Sequence, residues 1–446
     1  MAPLTSNSEN LTPDAASLTV CVVALGKIGL PLAVQFADKG HRVIGADVDQ
    51  RVVDLVNAGE EPFPGEAHLG TKMRAAVDAG LLTATTDTAS AVAQSDAVVV
   101  VVPLFVDQEG VPDFGWMDNA TRAIAQGLRP GTLVSYETTL PIGTTRTRWA
   151  PMLEEGSGLR AGADFHLVFS PERVLTGRVF ADLRRYPKLI GGIDEASTAA
   201  GTAFYEAVLD FDERTDLPRP NGVWDLGSCE ASEFAKLAET TYRDVNIGLA
   251  NQFARHADTI DVDILKVIEA CNSQPYSHIH LPGIAVGGHC IPVYPRLYLW
   301  NDPAATVVRS AREANAAMPA YAVDLLAAAY GELAGAHVLV LGAAYRGGVK
   351  ETAFSGVFAT VAQLRERGAT PYVSDPMYAA EELEALGLPA HRGEPVEAAV
   401  IQADHADYRT LTPADLPGVR VLVDGRRVTD PDAWAVEGVR RLVIGG

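Results

Sequence analysis

One cysteine of this chain lies directly behind a glycine-rich loop. Cys290 belongs to the segment Gly287-Gly-His-Cys-Ile-Pro292. Adjacent glycines let the backbone approach a ligand closely, and nearby prolines stiffen the segment. Because a thiolate attacks carbonyl carbon well, the arrangement predicts a nucleophilic cysteine presented to a substrate. The alternative is a buried thiol in a tight turn.

A second glycine loop, Ala24-Leu-Gly-Lys-Ile-Gly29, follows an apolar run and precedes helical periodicity at residues 30–39. This is the context of the dinucleotide fingerprint G-x-G-x-x-G, with Ala24 in place of the first glycine. A helix N-terminus offers free N–H groups and a positive dipole to a pyrophosphate. The alternative is a glycine turn that binds no ligand. The loop residues that we assign to the cofactor are Gly26, Lys27, Ile28 and Gly29.

An aspartate closes the next predicted strand. Asp47 follows residues 42–46, where an acid is expected to accept the ribose 2′-hydroxyl of a dinucleotide. A carboxylate there repels a 2′-phosphate, so the sequence favours NAD over NADP. Arg51 is assigned to the same cofactor site.

The elements that must position these residues alternate between buried strands and helices. This alternation predicts an α/β fold with parallel sheets and helices on both faces, arranged as two Rossmann-like doubly wound domains joined by a long central helix and a helical segment. The predicted strands are residues 19–25, 42–46, 97–102, 132–136, 166–169, 337–342, 370–374 and 419–424, with a helix at 355–367 in the second domain.

A long amphipathic pattern runs from residue 228 to about residue 270. Apolar residues recur there every three or four positions, which predicts one continuous helix. Such a helix is able to link two domains and to carry a homodimer contact. Such an apolar stripe more often packs within a chain than between subunits.

The composition narrows the classes of partner. The 446 residues carry a formal net charge of −21, without a basic run, which argues against nucleic acid and anionic membrane surfaces. No apolar run approaches the roughly 18 residues that a membrane span requires. Residues 1–17 are polar and predict a disordered leader, not a signal peptide. The cysteines, which show no paired spacing and so suit a reducing cytoplasm, are Cys21, Cys229, Cys271 and Cys290.

Several motifs occur in the order typical of the nucleotide-sugar 6-dehydrogenase family. The chain resembles that family, the UDP-glucose and UDP-N-acetylhexosamine (such as UDP-N-acetyl-D-mannosamine) dehydrogenases, over nearly everything after residue 17. It lies nearer the N-acetylhexosamine branch. The motifs are Ala24-Leu-Gly-Lys-Ile-Gly-Leu-Pro31, Glu137-Thr-Thr-Leu-Pro-Ile-Gly-Thr-Thr145, Ser170-Pro-Glu-Arg-Val-Leu-Thr-Gly177, Lys236-Leu-Ala-Glu-Thr-Thr-Tyr-Arg-Asp-Val-Asn-Ile247, Gly287-Gly-His-Cys-Ile-Pro292, Leu341-Gly-Ala-Ala-Tyr-Arg346, Ser374-Asp-Pro376 and Val423-Asp-Gly-Arg426.

The resemblance implies a four-electron oxidation of a sugar C6 alcohol to a carboxylate, with two NAD used in succession. Cys290 would add to the intermediate aldehyde, and oxidation of the thiohemiacetal would give a thioester that water hydrolyses. Lys236 would stabilise the developing alkoxide, and Glu172 would act as general base for the hydrolytic water.

The resemblance also implies the ligand contacts and the domains. Thr139 would approach the nicotinamide, and arginines would bind the diphosphate of a nucleotide sugar through paired hydrogen bonds. It implies a cytoplasmic homodimer with a role in polysaccharide biosynthesis. The implied substrate contacts are Arg173, Val174, Arg243, Gly287 and Arg346. The predicted divisions are a leader at 1–17, an NAD-binding domain at 18–215, a central helical linker and dimerisation domain with the cysteine at 216–330, and a nucleotide-sugar-binding domain at 331–446.

The chain departs from the family pattern at several positions. Thr240 replaces an asparagine, Tyr294 replaces an aspartate, and Ala353 removes an arginine. These changes put the second oxidation or the thioester hydrolysis in doubt. Smaller departures are Val102-Pro-Leu-Phe105 and Thr176. Three alternatives therefore stay open: a two-electron dehydrogenase of the hydroxyacid type, a catalytically silent nucleotide-sugar-binding homologue, and a metal site built from His278, His280, His289 and Cys290.

Overall fold

The computed structural model of the chain describes residues 17–63, 65–107, 110–175 and 177–446. The chain divides into two compact units between Leu237 and Ala238, inside one long helix. The predicted leader at 1–17 lies outside the described residues, apart from Ser17. Each unit has its own sheet and its own buried core.

Among the described residues, the first unit contains ten strands. They are β1 (Thr19–Val23), β2 (Arg42–Ala46), β3 (Leu82–Thr85), β4 (Ala97–Val100), β5 (Phe105–Val106), β6 (Pro112–Asp113), β7 (Leu133–Tyr136), β8 (His166–Phe169), β9 (Lys188–Gly192) and β10 (Val223–Asp225). The helices are α1 (Gly29–Asp38), α2 (Gln50–Asn57), α3 (Leu69–Asp78), α4 (Thr88–Ala93), α5 (Gly115–Gly127), a π-helical turn (Thr145–Trp149), α6 (Ala150–Ser157), α7 (Val179–Arg185), α8 (Glu195–Val208) and the first part of α9 (Cys229–Thr259).

Eight of these strands form one sheet in the order β10-β9-β8-β7-β4-β1-β2-β3. The predicted parallel arrangement is confirmed for β1, β2, β4, β7 and β8. Strand β9, which the sequence did not indicate, pairs antiparallel with β8, with Phe169 opposite Gly191. This reversal brings the first residue of β9, Lys188, to the edge where β7 and β8 end.

The alternation of side chains along β1 shows why helices cover both faces of the sheet. Val20 and Val22 pack into one buried cluster with α1, α3 and α8, whereas Cys21 and Val23 pack into a second with α4, α5 and α6. Each fully buried valine, leucine or phenylalanine side chain stabilises the fold by about 1.5–3 kcal/mol relative to exposure. The near-continuous apolar strands of the sequence follow from this burial on two faces.

The second unit contains a five-stranded parallel sheet in the order β12-β11-β13-β14-β15. Its strands are β11 (His337–Leu341), β12 (Thr370–Ser374), β13 (Ala398–Ile401), β14 (Val421–Asp424) and β15 (Arg440–Val443). Its helices are the rest of α9, α10 (Ile264–Asn272), α11 (Tyr294–Asn301), α12 (Thr306–Ala316), α13 (Met318–Tyr330), α14 (Val357–Glu366) and α15 (Ala380–Ala385), with 3-10 turns at Ala406–Thr410 and Pro413–Asp415.

The prediction of one continuous helix from residue 228 to about 270 is wrong. Helix α9 ends at Thr259, and α10 begins at Ile264. Between them Asp261 adopts a left-handed backbone conformation with φ 54°, and the Asp263 carboxylate caps the first turn of α10. Aspartate tolerates such a turn and is a favoured N-cap, so local hydrogen bonding ends the helix although the apolar periodicity continues.

Candidate active site

The first glycine loop joins β1 to α1 through an unusual backbone conformation. Ala24, which replaces the first glycine of the fingerprint, has φ 76°, in the left-handed region that glycine adopts at little cost. Its N–H donates to the carbonyl of Ala46 at 2.8 Å. The alanine therefore takes the conformation expected of the missing glycine.

The two remaining glycines of this loop have different surroundings. A Cβ atom on Gly29 would lie 1.9 Å from the Ala24 carbonyl oxygen and 2.7 Å from Cγ2 of Val101. A Cβ atom on Gly26 would meet no heavy atom within 4 Å. Gly29 thus allows α1 to pack close to the strands, whereas Gly26 borders open space that a ligand is able to enter.

Asp47 lies beside this loop at the end of β2. One carboxylate oxygen accepts the Leu25 N–H at 2.7 Å, and the other accepts the Asp49 N–H at 2.9 Å. Each oxygen retains capacity for a further hydrogen bond, such as one from a ribose hydroxyl. Arg51, in the first turn of α2, is exposed, and its guanidinium lies 3.7 Å from the Asp49 carboxylate.

The loop after β7 carries Thr139, which is buried. Glu233 of α9 binds this loop by accepting the Gly143 and Thr145 N–H groups, and the Thr145 hydroxyl donates to it at 2.7 Å. Burial raises the pKa of Glu233 to about 7, although these hydrogen bonds oppose the rise. Because Lys236, also buried, follows one turn later on α9, Glu233 ties the Thr139 loop to the helix that carries Lys236.

Glu172 follows β8 and has two differently bound carboxylate oxygens. Oε1 accepts the N–H groups of Arg173 and Val174, at 2.5 and 3.0 Å. Oε2 is buried and has no hydrogen-bond partner among the described residues. The Nζ atom of Lys188 lies 3.7 Å from Oε2. A carboxylate held by one oxygen while the other is unbound suits a general base.

A buried cluster that the sequence did not predict lies behind Glu172. Lys188 Nζ donates to Glu137 at 2.6 Å, and the Tyr205 hydroxyl donates to the other Glu137 oxygen at 2.6 Å. Burial raises the pKa of Glu137 to about 7, with Lys188 acting against the rise and Glu172 adding to it. The sequence signal was an acid directly after an apolar strand.

In the second unit, the Cys290 thiol is exposed. The Cys290 carbonyl accepts the Val293 and Tyr294 N–H groups at 3.2 and 2.9 Å, so the loop turns directly into α11. The alternative of a buried thiol is therefore wrong. Cys21, in contrast, is buried, and burial raises its pKa to about 12.

Two asparagines of α9 hold the chain that leads to Cys290. Asn246 donates to the His278 carbonyl at 2.7 Å and accepts the His280 N–H at 3.0 Å. Asn251, which is buried, accepts the Gly283 N–H at 2.9 Å. Three bonds from one rigid helix therefore fix the approach to the cysteine loop.

Arg426 is a half-buried guanidinium that contacts only carbonyl oxygens. It donates to Gln402 at 2.9 Å, to Ala285 at 3.3 Å and to Tyr345 at 3.4 Å. Within the described ranges no carboxylate lies within ion-pair distance of it, and burial lowers its pKa although the charge of Asp404 opposes that change. Arg346 adjoins the same tyrosine. An anionic ligand would supply a negatively charged hydrogen-bond partner for Arg426. The Asp-Gly-Arg motif was its sequence signal, although we did not assign the residue from it.

The other predicted substrate residues fall into two places. Gly287 lies against Tyr345, since a Cβ atom on it would be 2.5 Å from the tyrosine Cβ. Arg243, exposed on α9, adds to the effect of burial in lowering the pKa of His280. Arg173 and Val174 lie in the first unit beside Glu172.

The residues that depart from the family pattern have definite structural roles. Thr240 is buried on α9, and Tyr294 is the first residue of α11. The Ala353 carbonyl accepts the Gly288 N–H at 2.9 Å. Thr176 lies outside the described residues. As for the metal alternative, no three His, Cys, Asp or Glu side chains of the described ranges come together as a ligand set.

The second unit repeats one feature of the first. Asp375 follows β12 as Asp47 follows β2, and its Oδ2 accepts the Ala343 and Ala344 N–H groups at 2.8 and 3.1 Å. The same oxygen lies 3.1 Å from Nε2 of His405, and Oδ1 accepts the Met377 N–H at 2.8 Å. Burial acts to raise the pKa of Asp375, but these hydrogen bonds outweigh it and lower the pKa.

Comparison with known proteins connects these features. Residues 18–209, 230–317 and 339–431 match, in turn, the NAD binding, central and UDP binding domains of the UDP-glucose/GDP-mannose dehydrogenase family. A UDP-N-acetyl-D-mannosamine dehydrogenase of Pyrococcus horikoshii is 32% identical over 441 residues, which cover 95% of this chain and 99% of that protein. The chain belongs to the UDP-glucose/GDP-mannose dehydrogenase family.

Other family members agree in sequence and in fold. An NDP-N-acetyl-D-galactosaminuronic acid dehydrogenase of Ralstonia solanacearum is 30% identical, over 92% of this chain and 95% of that protein. The solved structure of the UDP-D-ManNAc dehydrogenase from Pyrococcus horikoshii has a TM-score of 0.84 and 30% identity, covering 96% of this chain and 99% of the other. A UDP-glucose dehydrogenase from Pyrobaculum islandicum gives a TM-score of 0.81 at 28% identity, with 95% and 100% covered.

Family membership confirms several of the sequence predictions. The protein is an NAD-dependent oxidoreductase of the nucleotide-sugar dehydrogenase class, and its resemblance to the UDP-N-acetylhexosamine branch is confirmed. Gly26, Asp47 and the α1 N-terminus fit the dinucleotide that the matched domain binds. None of the described helices is long and apolar enough to cross a bilayer.

Proposed function

We propose that this family member oxidises the C6 alcohol of a nucleotide-diphosphate sugar to the uronate in two successive NAD-dependent steps. The observation that carries the proposal is the exposed Cys290 thiol, on a loop that α9 holds and that adjoins the arginines of the second unit. The names of the relatives favour a UDP-N-acetylhexosamine as substrate, with UDP-glucose as the second candidate.

The proposed chemistry assigns one task to each side chain. Bound NAD would accept the hydride in each oxidation. Lys236 would stabilise the alkoxide that forms when the C6 hydroxyl loses its proton. The Cys290 thiolate would add to the resulting aldehyde and give a tetrahedral carbon that is able to lose a second hydride. Glu172 would take a proton from the water that attacks the thioester, and the C–S bond would then break to release the acid.

Local arginines must offset the overall charge of the protein, since a net charge of −21 repels a nucleotide diphosphate. We assign the diphosphate to Arg346 and Arg426, because the Arg426 guanidinium hydrogen-bonds to carbonyl oxygens and forms no ion pair among the described residues. Arg243 and Arg173 are further candidates, as the sequence predicted. Gly287 and Val174 would contribute backbone contacts.

The cofactor site that we propose consists of the first glycine loop, Asp47, Arg51 and Thr139. We also propose a cytoplasmic homodimer with a role in polysaccharide biosynthesis. The exposed Tyr242, Leu249 and Phe253 of α9 support a subunit contact, and the absence of a disulfide among the four free cysteines supports a reducing compartment. The domain divisions at 18–215, 216–330 and 331–446 stand as part of this proposal.

The stoichiometry of NADH tests the function. UDP-, GDP- and dTDP-sugars are screened, and NADH formed per substrate consumed is counted. Two NADH with a uronate product are expected, whereas one NADH indicates the two-electron alternative. Binding of a sugar nucleotide without turnover would indicate the silent homologue.

A cysteine substitution tests the covalent route. Cys290→Ser is expected to stop the reaction before acid release, because a hydroxyl is a far weaker nucleophile than a thiolate. Cys271→Ser is the matched control and is expected to keep full activity. Uronate formed at the normal rate by Cys290→Ser would refute the thioester route.

A further inference from the structure

The sheet topology gathers three ionisable side chains at one edge. Glu137 follows β7 and Glu172 follows β8, so both lie at the carboxyl ends of parallel strands. Lys188 begins β9, which runs in the opposite direction beside β8. The pairing of Phe169 with Gly191 brings the start of β9 near the chain that follows β8, where Lys188 Nζ lies 3.7 Å from Oε2 of Glu172. The reversal of one strand thus places an ammonium group between two carboxylates.

The contacts of Lys188 are unequal. Its Nζ atom donates to Glu137 at 2.6 Å and lies 3.7 Å from Oε2 of Glu172. Lys188 and Glu137 are buried, with side chains 5% and 0% exposed, and Glu172 is 13% exposed. An ammonium group has three N–H donors, and this one makes a single side-chain hydrogen bond within the described ranges. An ammonium with donors to spare therefore faces a carboxylate oxygen without a partner.

We propose that Lys188, held in place by Glu137, is a positioning residue that places a positive charge beside Glu172 and orients its unbound oxygen for the hydrolytic water. This inference rests on the proposed role of Glu172 as base. During hydrolysis Glu172 takes one proton from water as the water oxygen bonds to the thioester carbon. The C–S bond breaks, and the proton passes on to the departing sulfur, which restores both the carboxylate and the thiol.

The balance of charge in the cluster explains why the lysine matters. Two neighbouring carboxylates share one ammonium, and without it their mutual repulsion is not offset. Burial raises the pKa of Glu137 to about 7, and the ammonium of Lys188 opposes that rise. The Tyr205 hydroxyl donates to Glu137 and adds no charge. The other ionisable groups that line the adjoining cavity are Arg173, Asp182 and Tyr186. Asp182 forms an ion pair with Arg178.

Opposite shifts of a pH profile test the proposal. Acid release is measured in single turnovers from pH 5 to 9 with saturating NAD. In Lys188→Met the midpoint of the acidic limb is expected to rise, because the ammonium that lies 3.7 Å from the Glu172 carboxylate is lost. In Glu137→Gln the midpoint is expected to fall, because the ammonium of Lys188 then interacts with the Glu172 carboxylate alone. Lys188→Arg keeps the charge and is expected to restore the wild-type limb.

A readout that does not depend on turnover separates this inference from the proposed function. Infrared titration of the wild type minus Glu172→Gln isolates the Glu172 carboxyl, and the same difference is taken in the Lys188→Met and Glu137→Gln backgrounds. If the wild type releases no acid, the proposed function fails while the titration still tests the cluster. Should Lys188→Met not fold, Glu137→Gln carries the test. Unchanged titration of Glu172 in every folded variant would overturn the inference.

Discussion

The same substitution at two glycines of one loop is expected to have two different effects. In Gly29→Ala the new Cβ would lie 1.9 Å from a backbone carbonyl oxygen, so α1 must move by more than 1 Å to reach an ordinary contact distance. Overpacking against backbone places the cost near the upper end of the usual range, about 3 kcal/mol. For a unit of about 150–250 residues that loss lowers Tm by about 6–12 °C.

Gly26→Ala is the matched control, because its Cβ meets no heavy atom within 4 Å. The unliganded variant is expected to unfold at the wild-type temperature or slightly above it, since alanine restricts the unfolded chain. The methyl group would instead occupy space that the proposed site gives to the pyrophosphate. Calorimetry with NAD at 100 times its wild-type Kd is expected to show a gain of about 2.7 kcal/mol for the wild type and little gain for Gly26→Ala.

The reasoning about this loop is refuted if Gly29→Ala unfolds at the wild-type temperature. It is equally refuted if Gly26→Ala binds NAD as the wild type does. A third variant, Ala24→Gly, tests the left-handed backbone conformation at the start of the same loop. Relief of the left-handed alanine is worth about 1–2 kcal/mol, partly offset by about 0.4–1 kcal/mol from the freer unfolded chain. Its Tm is therefore expected to rise.

Three further predictions concern side chains around the site. Asp47→Ala is expected to weaken NAD binding, measured by fluorescence titration, far more than binding of the sugar nucleotide; equal losses would contradict its ribose role. Burial raises the pKa of Glu233 to about 7, so the contribution of Glu233 to stability is present below pH 4.5 and is lost as pH rises through 7. Over that window the free energy of unfolding should fall less in Glu233→Gln than in the wild type, and the difference should reach up to about 3 kcal/mol. Asn251→Ala leaves the Gly283 N–H without its partner, so we expect about 1–3 kcal/mol of destabilisation and a lower kcat at unchanged NAD affinity; wild-type kcat would show that the loop needs no such anchor.

The local pattern of apolar residues determined which strands and helices could be predicted from the sequence. Buried parallel strands such as β1 and β8 appear as continuous apolar runs, so their positions were predicted to within a residue or two. Strand β9, which starts with a lysine and ends with two glycines, lacks that pattern and was missed. The break after Thr259 was missed because an aspartate turn interrupts the helix without interrupting its apolar period.

The site shows the same division. Cys290, Asp47 and the first glycine loop could be proposed from the sequence because their chemistry depends on neighbours in sequence. The Lys188 cluster was missed because three strands bring it together, and its register follows from pairing that periodicity does not specify. Arg426 lay in a noted motif, but its lack of a carboxylate partner within the described ranges emerges only from tertiary contacts.

The hydrogen bonds of Asp375 distinguish it from Asp47 as a place for a ribose. Its Oδ2 already serves two backbone donors and an imidazole, and Oδ1 serves a third backbone donor, so Asp375 has less capacity for a ribose than Asp47 has. In the proposed reaction the first glycine loop and Asp47 receive both hydride acceptors in turn. The first reduced nucleotide must depart, and a fresh oxidised one must enter, while the half-oxidised sugar stays behind. A covalent bond to sulfur would keep the half-oxidised sugar from escaping during that exchange. Because the first NADH must depart before the second oxidation, accumulated NADH should slow the second half of the reaction.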